Sequence, residues 1–336
     1  MRKLPNLLLH PGYFQGAGKK PPYFEGWYYR MTAPDGRAYC LIPGVCQSGR
    51  EPHCFLQVIS PGEARYLRFP LGAFSYAKNS SLFRIGENAF DETGLRVKAA
   101  FDGGGRITAE VDFPNRAPYP VTPPHPGIMG PFAYVPGLRC RHAVLCVRSG
   151  LSGFLEIDGA RVELGGGVGY MEKDWGGAFP DPYLWAYCGR FEGRENADAA
   201  LFLAAASVPV AGRRMRGLIA FWYQRGEFTR FSTYEGGRAA SVQREEPLGA
   251  VSALLRAPGR ELAVRLTPGA GCMLAAPGPD GMRREVLESE AAVEAELRVR
   301  GRAALYARGA GAMETYGRIS ELAHGGAPDG ARSVKK

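Results

Sequence analysis

Lysine is scarce in this 336-residue chain, supplying 8 of 42 basic residues, and the arginines that take its place are spread rather than clustered. The formal charge of +9 therefore builds no basic helix or stripe. No aromatic strand of the ribonucleoprotein type accompanies it, so nucleic acid is not the expected partner. Long apolar runs are missing as well. The first is only Leu7-Leu8-Leu9, far short of a signal-peptide core, and nothing later approaches the roughly 20 residues that cross a bilayer as a helix. Cys40, Cys46, Cys54, Cys140, Cys146, Cys188 and Cys272 form an odd set without a CxxC spacing. Neither a disulfide framework nor a structural zinc site is expected from them. They read as small buried residues of a reducing compartment, and the expected location is the cytoplasm. Also absent are GxSxG, GxxxxGK[ST], HExxH and a dinucleotide fingerprint in a strand-turn-helix setting, which removes the common hydrolase, nucleotide and zinc-protease readings.

Helical periodicity is the last shortage. What fills the chain instead is a succession of short alternating runs every 8 to 14 residues, separated by Pro34-Asp35-Gly36, Asp102-Gly103-Gly104-Gly105, Asp158-Gly159, Pro258-Gly259 and Pro279-Asp280-Gly281. Such punctuation predicts strands joined by turns. The stretch 289–297 is rich in Ala and Glu, yet its neighbours favour a strand there too. Near twenty strands are too many for one small barrel, so the expectation is an all-β chain of two consecutive antiparallel barrels. The first covers 1–165, the second 166–325 beyond the pivot Gly165-Gly166-Gly167, and 326–336 form a disordered tail. Eight prolines between Pro114 and Pro136 mark an irregular excursion over the surface or across a barrel mouth.

Two segments combine large aromatics with charges that a plain strand avoids: Tyr23-Phe24-Glu25-Gly26-Trp27-Tyr28-Tyr29-Arg30 and Gly169-Tyr170-Met171-Glu172-Lys173-Asp174-Trp175-Gly176. Read as a strand, the second puts Tyr170, Glu172 and Asp174 on one face and Met171, Lys173 and Trp175 on the other. Two carboxylates at i and i+2 lie roughly 7 Å apart. Facing a barrel lumen, one would be pushed towards its protonated form and become a general acid. The plainer alternative is a solvated strand end at the Gly176-Gly177 turn.

Lys173 is the sole lysine between Lys98 and Lys335, so either a compact ammonium is needed beside the acid or it forms an inter-strand salt bridge. Glu25 shares a face with Trp27 and Tyr29; it is expected either to tie Arg30 or another arginine across strands or to touch ligand. Trp27, Trp175, Phe179, Trp185 and Tyr187 either wall an apolar pocket or fill barrel cores. His142 shares a strand face with Cys140 and Cys146, but the spacing supplies no fourth ligand, so His142 reads as a pocket or core residue and no metal is expected.

The two aromatic-charged segments, with Phe179-Pro180, Trp185 and the Cys140-Arg141-His142 strand, resemble the tocopherol cyclase family over roughly residues 8 to 320. One departure is Asp181-Pro182-Tyr183-Leu184-Trp185, which stands where the family has a second Trp-rich cluster. The resemblance implies two lipocalin-like barrels, shared more remotely with carotenoid 1,2-hydratases, and cofactor-independent cyclisation of a prenylated quinol. Protonation of a trisubstituted alkene would give a tertiary cation, captured by a phenolic oxygen or, in a hydratase, by water. On this view Asp174 is the acid, Glu172 or Lys173 tunes it, and Tyr170, Trp175, Phe179, Trp185, Tyr187, Trp27, Glu25 and His142 surround a hydrophobic small-molecule substrate. Such a substrate leaves room for peripheral contact at the inner membrane face. The alternative function is a lipocalin-type carrier, which binds without conversion.

Overall fold

The computed structural model describes residues 7–49, 51–210 and 212–324, and the expected tail 326–336 lies outside them. Apart from a helical turn at residues 7–8 and short 3₁₀ turns, the described chain is strand and connection. The all-β expectation holds.

The first sheet takes β1 (Phe24–Thr32), β2 (Ala38–Cys46), β3 (His53–Ser60) and β4 (Glu63–Pro70) as a meander. The second sheet takes β5 (Phe74–Tyr76), β6 (Phe83–Ile85), β7 (Asn88–Phe90), β8 (Gly94–Ala100) and β9 (Arg106–Asp112). The chain then returns to the first sheet with β10 (Ala117–Pro118) and β11 (Cys140–Gly150). It visits the second once more with β12 (Ser152–Ile157) and β13 (Ala160–Glu163), and closes the first with β14 (Val168–Gly176). In the β12–β13 hairpin Asp158 and Gly159 both adopt positive φ, 53° and 84°, the backbone a two-residue primed turn requires.

The third sheet is a nine-stranded array. It runs through β15 (Tyr183–Phe191), β16 (Ala200–Val210), β17 (Arg213–Gln224), β18 (Glu227–Arg230) and β19 (Arg238–Glu245), then β20 (Ala250–Ala257), β21 (Arg260–Gly278), β22 (Gly281–Val299) and β23 (Leu305–Tyr316). The Ala- and Glu-rich stretch is thus strand, within β22.

Alternation along these strands makes three cores. Trp27, Tyr29, Met171 and Trp175 of the first sheet pack on Phe83, Phe90, Val97 and Ile107 of the second. The third sheet curls round its own core, with Leu184, Leu203, Leu255 and Val293 inside. The remaining faces of the first and third sheets meet each other: Tyr28, Tyr170 and Val144 oppose Trp185, Tyr187, Phe202 and Phe221.

Sheet membership changes between β14 and β15, not at the three glycines. β14 hydrogen-bonds along its length between β1 and β11, with Trp27 opposite Lys173 and Tyr28 opposite Glu172. The strand that follows the three glycines thus belongs to the first sheet. The proline-rich segment bridges the two units. Tyr119 packs on Phe221 and Phe228, and the Tyr234 hydroxyl donates to the Ile128 carbonyl at 3.0 Å.

Candidate active site

A largely apolar cavity of about 200 Å³ opens between the first and third sheets. A water needs roughly 10–15 Å³ of such space, so there is room for a small ring with a branch. Tyr28, Phe179, Tyr183 and Trp185 supply aromatic wall, and Ala204, Leu218, Ile219, Leu274 and Val286 supply aliphatic wall. Met129 and Phe132, from the proline-rich segment, line it too. The carboxylate-bearing face of β14 thus looks into a seam between the two barrel-like units. The interior of the first unit is a filled aromatic core, because Trp27 and Trp175 pack inward there.

Glu172, Asp174 and His142 come together on the cavity wall. His142 and Asp174 are direct cross-strand partners of β11 and β14, with Nδ1 3.0 Å from Oδ1. His142 Nε2 lies 3.6 Å from Glu172 Oε2 and is buried without a hydrogen bond. The ring stacks on Phe202 at 5.2 Å, which fixes its plane. Glu172 is 5 % exposed. Its Oε2 accepts from the Tyr170 hydroxyl at 2.5 Å and from the Trp185 indole N–H at 2.9 Å. Tyr170 is held in turn by stacking on Tyr187 at 3.7 Å.

Burial pushes the Glu172 carboxyl up to about 7, against the pull of His142 and with the push of Asp174. For His142, burial disfavours the charge, but Asp174 and Glu172 together outweigh it and raise the imidazole to about 9. At neutral pH the cluster therefore holds an imidazolium clamped by Asp174 beside a carboxyl that titrates nearby. The three side chains offer ligand atoms within 4.8 Å of one another, a spacing that could serve a cation. Glu172 Oε2 accepts an O–H and an N–H, and that donor set also suits a carboxyl that exchanges a proton.

The other face of β14 holds a second ionic group. Lys173 is fully buried, and its Nζ donates to Glu25 Oε1 at 2.6 Å, Pro11 O at 2.8 Å and Tyr13 O at 2.6 Å. Trp27 and Trp175 flank the ammonium at 4.6 and 5.1 Å from their centroids. Glu25 also accepts from the Gln15 amide and the Tyr23 hydroxyl. Burial pushes Glu25 up and Lys173 down, and each opposes that shift in the other.

Several sequence expectations change accordingly. Glu25 ties a lysine, not an arginine, while Arg30 instead pairs with Glu290 at 2.7 Å. Lys173 cannot reach Asp174 or Glu172, because odd and even positions of a strand project to opposite faces. Glu25, Trp27 and Trp175 sit with Lys173, away from the cavity. Tyr170, Phe179, Trp185, Tyr187 and His142 gather with Glu172 and Asp174.

The structure adds residues the sequence did not single out. Glu314 lines the cavity and accepts from the Tyr183 hydroxyl at 2.8 Å. Glu288 stands directly opposite Glu314 across β22 and β23. A parity signal for Glu288 was available: Val286 and Glu288 are buried at even positions, whereas Ala291, Val293, Ala295 and Leu297 are buried at odd ones. A glutamate on the inward parity of a strand is a candidate by itself. Nothing comparable marked Phe202.

The model of the family described as "Tocopherol cyclase-like" matches residues 129–312, more than half of the chain. "Tocopherol cyclase, chloroplastic" of Zea mays is 27 % identical over 242 residues, 55 % of this chain and 49 % of that protein. "Probable tocopherol cyclase, chloroplastic" of Oryza sativa subsp. japonica is 25 % identical over 236 residues, 55 % of this chain and 50 % of that one. The chain thus spans about half the length of the curated relatives it matches. Among solved structures, CghA superposes with a TM-score of 0.54 at 13 % identity, covering 88 % of each chain. That likeness concerns the fold, which is lipocalin-like as expected. The matched span contains β11, β14 and β15 with His142, Glu172, Asp174 and Trp185, and the chain belongs to the tocopherol cyclase-like family.

Proposed function

We propose that this chain is an acid catalyst acting on an isoprenoid, converting a prenylated quinol or a close relative into its cyclic isomer, with Glu172 as the proton donor. The observation that carries the reading is the convergence of three groups on one oxygen. Tyr170 O–H, Trp185 N–H and His142 Nε2 all address Glu172 Oε2 at the edge of an apolar, aromatic cavity. Burial raises the carboxyl to about 7, so that a protonated acid is present near neutral pH. The fixed donors stabilise the carboxylate that forms as the proton leaves, so they act most strongly in the transition state.

The step balances within one substrate molecule. The Glu172 proton forms a C–H bond at the less substituted alkene carbon, the π bond breaks, and a tertiary cation results. Tyr28, Phe179 and Trp185 present π faces to it. The phenolic oxygen closes a C–O bond, and its proton returns to Glu172. Asp174 serves by holding His142 charged, a supporting part in place of the acid role expected from the sequence. Aliphatic wall on the third sheet keeps water from competing for the cation, which favours ring closure over hydration. A pure carrier gains nothing from burying this cluster.

A substrate of this kind partitions into membranes, so the reading includes peripheral contact with a membrane face, and it keeps the cytoplasmic location. Among the described residues no helix is long and apolar enough to cross a membrane. The test is incubation of purified protein with a panel of prenylated quinols, followed by mass spectrometry and chromatography. A new species of unchanged mass supports cyclisation. A gain of one water redirects the reading to a hydratase, and binding without conversion overturns catalysis altogether.

A further inference from the structure

The proton-donating cluster on β14 is not the only acidic group facing the cavity. Across it, on the third sheet, stands Glu314. Its place is fixed on both sides: Trp185 is its cross-strand partner on β15 and Glu288 on β22. Tyr183 steadies Oε2 at 2.8 Å, and no protein donor reaches Oε1 among the described residues. Gln57, another polar group of the lining, is satisfied by the backbone N–H and carbonyl of Ala275, each at 2.9 Å. Glu314 is thus a carboxyl in an apolar wall with hydrogen-bonding capacity left over.

Its neighbour explains which form it takes. Like charges directly opposite on adjacent strands destabilise a sheet. Glu288 is 4 % exposed and accepts from the Tyr28 hydroxyl at 2.7 Å, with Arg30 3.6 Å away. Its Oε2 is buried without a partner. Of the two, Glu288 has the Arg30 guanidinium beside it to favour the charged form, against a burial that pushes its carboxyl up as well. Burial first, then the charge of Glu288, push Glu314 well above the ordinary carboxylate range.

We infer that Glu314 is the anchor for an oxygen-bearing head group, its carboxyl hydrogen-bonding a substrate hydroxyl across the cavity from Glu172. The assignment rests on the proposed reading of the cavity as a substrate site. Trp185 ties the two ends together, since it bonds Glu172 and neighbours Glu314. A hydroxylated ring held between them leaves its prenyl branch to the wall formed by Ala204, Leu218, Ile219 and Leu274. Glu314 then selects substrates by their hydroxyl pattern, a role separate from delivering the proton.

Equilibrium binding tests this without requiring turnover. Three ligands are titrated against the intact protein by calorimetry: a prenylated hydroquinone and the two prenylated phenols that each lack one of its hydroxyls. One phenol should bind wild type about tenfold more weakly or worse, the cost of an unpaired buried polar group. In Glu314→Leu that gap should close, and in Glu314→Gln, which keeps the volume, it should narrow. Equal binding of all three by wild type overturns the anchor, as does a gap that persists undiminished in Glu314→Gln or Glu314→Leu. A hydroxyl-dependent gap without any conversion would keep the anchor and sink the cyclase reading instead.

Discussion

On one face of β14 the Lys173 ammonium points all three of its N–H bonds at fixed acceptors, and Glu25 takes hydrogen bonds from Lys173, Tyr23 and Gln15. On the other face stands Glu172, raised by burial to about 7, with His142 of β11 beside it, whose Nε2 is buried without a hydrogen bond. Both groups are buried and centre on the same strand. The first is saturated, closes on a packed aromatic core and straps residues 11–15 onto the sheet. The second is unsaturated and borders empty space. Saturation marks a group that holds the fold, and spare capacity beside a cavity marks one that can do chemistry.

That contrast breaks most readily at Glu172. Glu172→Gln keeps shape and part of the hydrogen bonding but removes the proton, so turnover should fall about 10²- to 10⁴-fold while ligand affinity and melting temperature stay near wild type. Comparable loss of affinity or of folding would make Glu172 structural. Lys173→Met should do the reverse. It leaves Glu25 buried and unpaired, at a cost of about 3–5 kcal/mol, which thermal denaturation would read as a fall of roughly 10 °C. Normal stability with lost activity would contradict the division between the faces.

Smaller effects sharpen it. Asp174→Asn removes the charge that keeps His142 protonated, so turnover should fall about a hundredfold and the His142 titration, followed by NMR, should drop from about 9 towards its ordinary 6.5. Trp185→Phe removes one donor from Glu172 and should lower kcat about tenfold, with little change in melting temperature. The smallest effect is on stability against pH. Folded Glu172 binds its proton more tightly than the unfolded chain does, at about 7 against 4.5. Its contribution is therefore complete below pH 4.5 and lost as pH rises through 7. Wild type should lose a few degrees of melting temperature over that window, and Glu172→Gln should lose less.

Much of this was legible in the sequence because β-strand alternation is a two-fold code. Gly169 to Gly176 announced which residues share a face, and the structure keeps Tyr170, Glu172 and Asp174 together. What alternation cannot say is which face meets which core. That depends on partners far away in the chain: β1 beside β14 sets Trp27 and Lys173 against the second sheet, and β15 sets Trp185 against Glu172. For the same reason the glycine run at 165–167 does not fix sheet membership, since three glycines permit a change of direction without forcing a change of sheet. His142 could be placed on a strand but not opposite Asp174, because register between β11 and β14 is a tertiary fact. Glu314 escaped notice as an ordinary glutamate in a chain with many, and only the cavity between the sheets singles it out.

The most direct test is turnover in heavy water. With a prenylated hydroquinone in D₂O, wild type should yield a cyclic product carrying one deuterium on the less substituted carbon of the former alkene, and Glu172→Gln should bind the quinol and return it unchanged. Cyclisation without deuterium, or equal deuteration by the variant, would contradict proton delivery from this carboxyl.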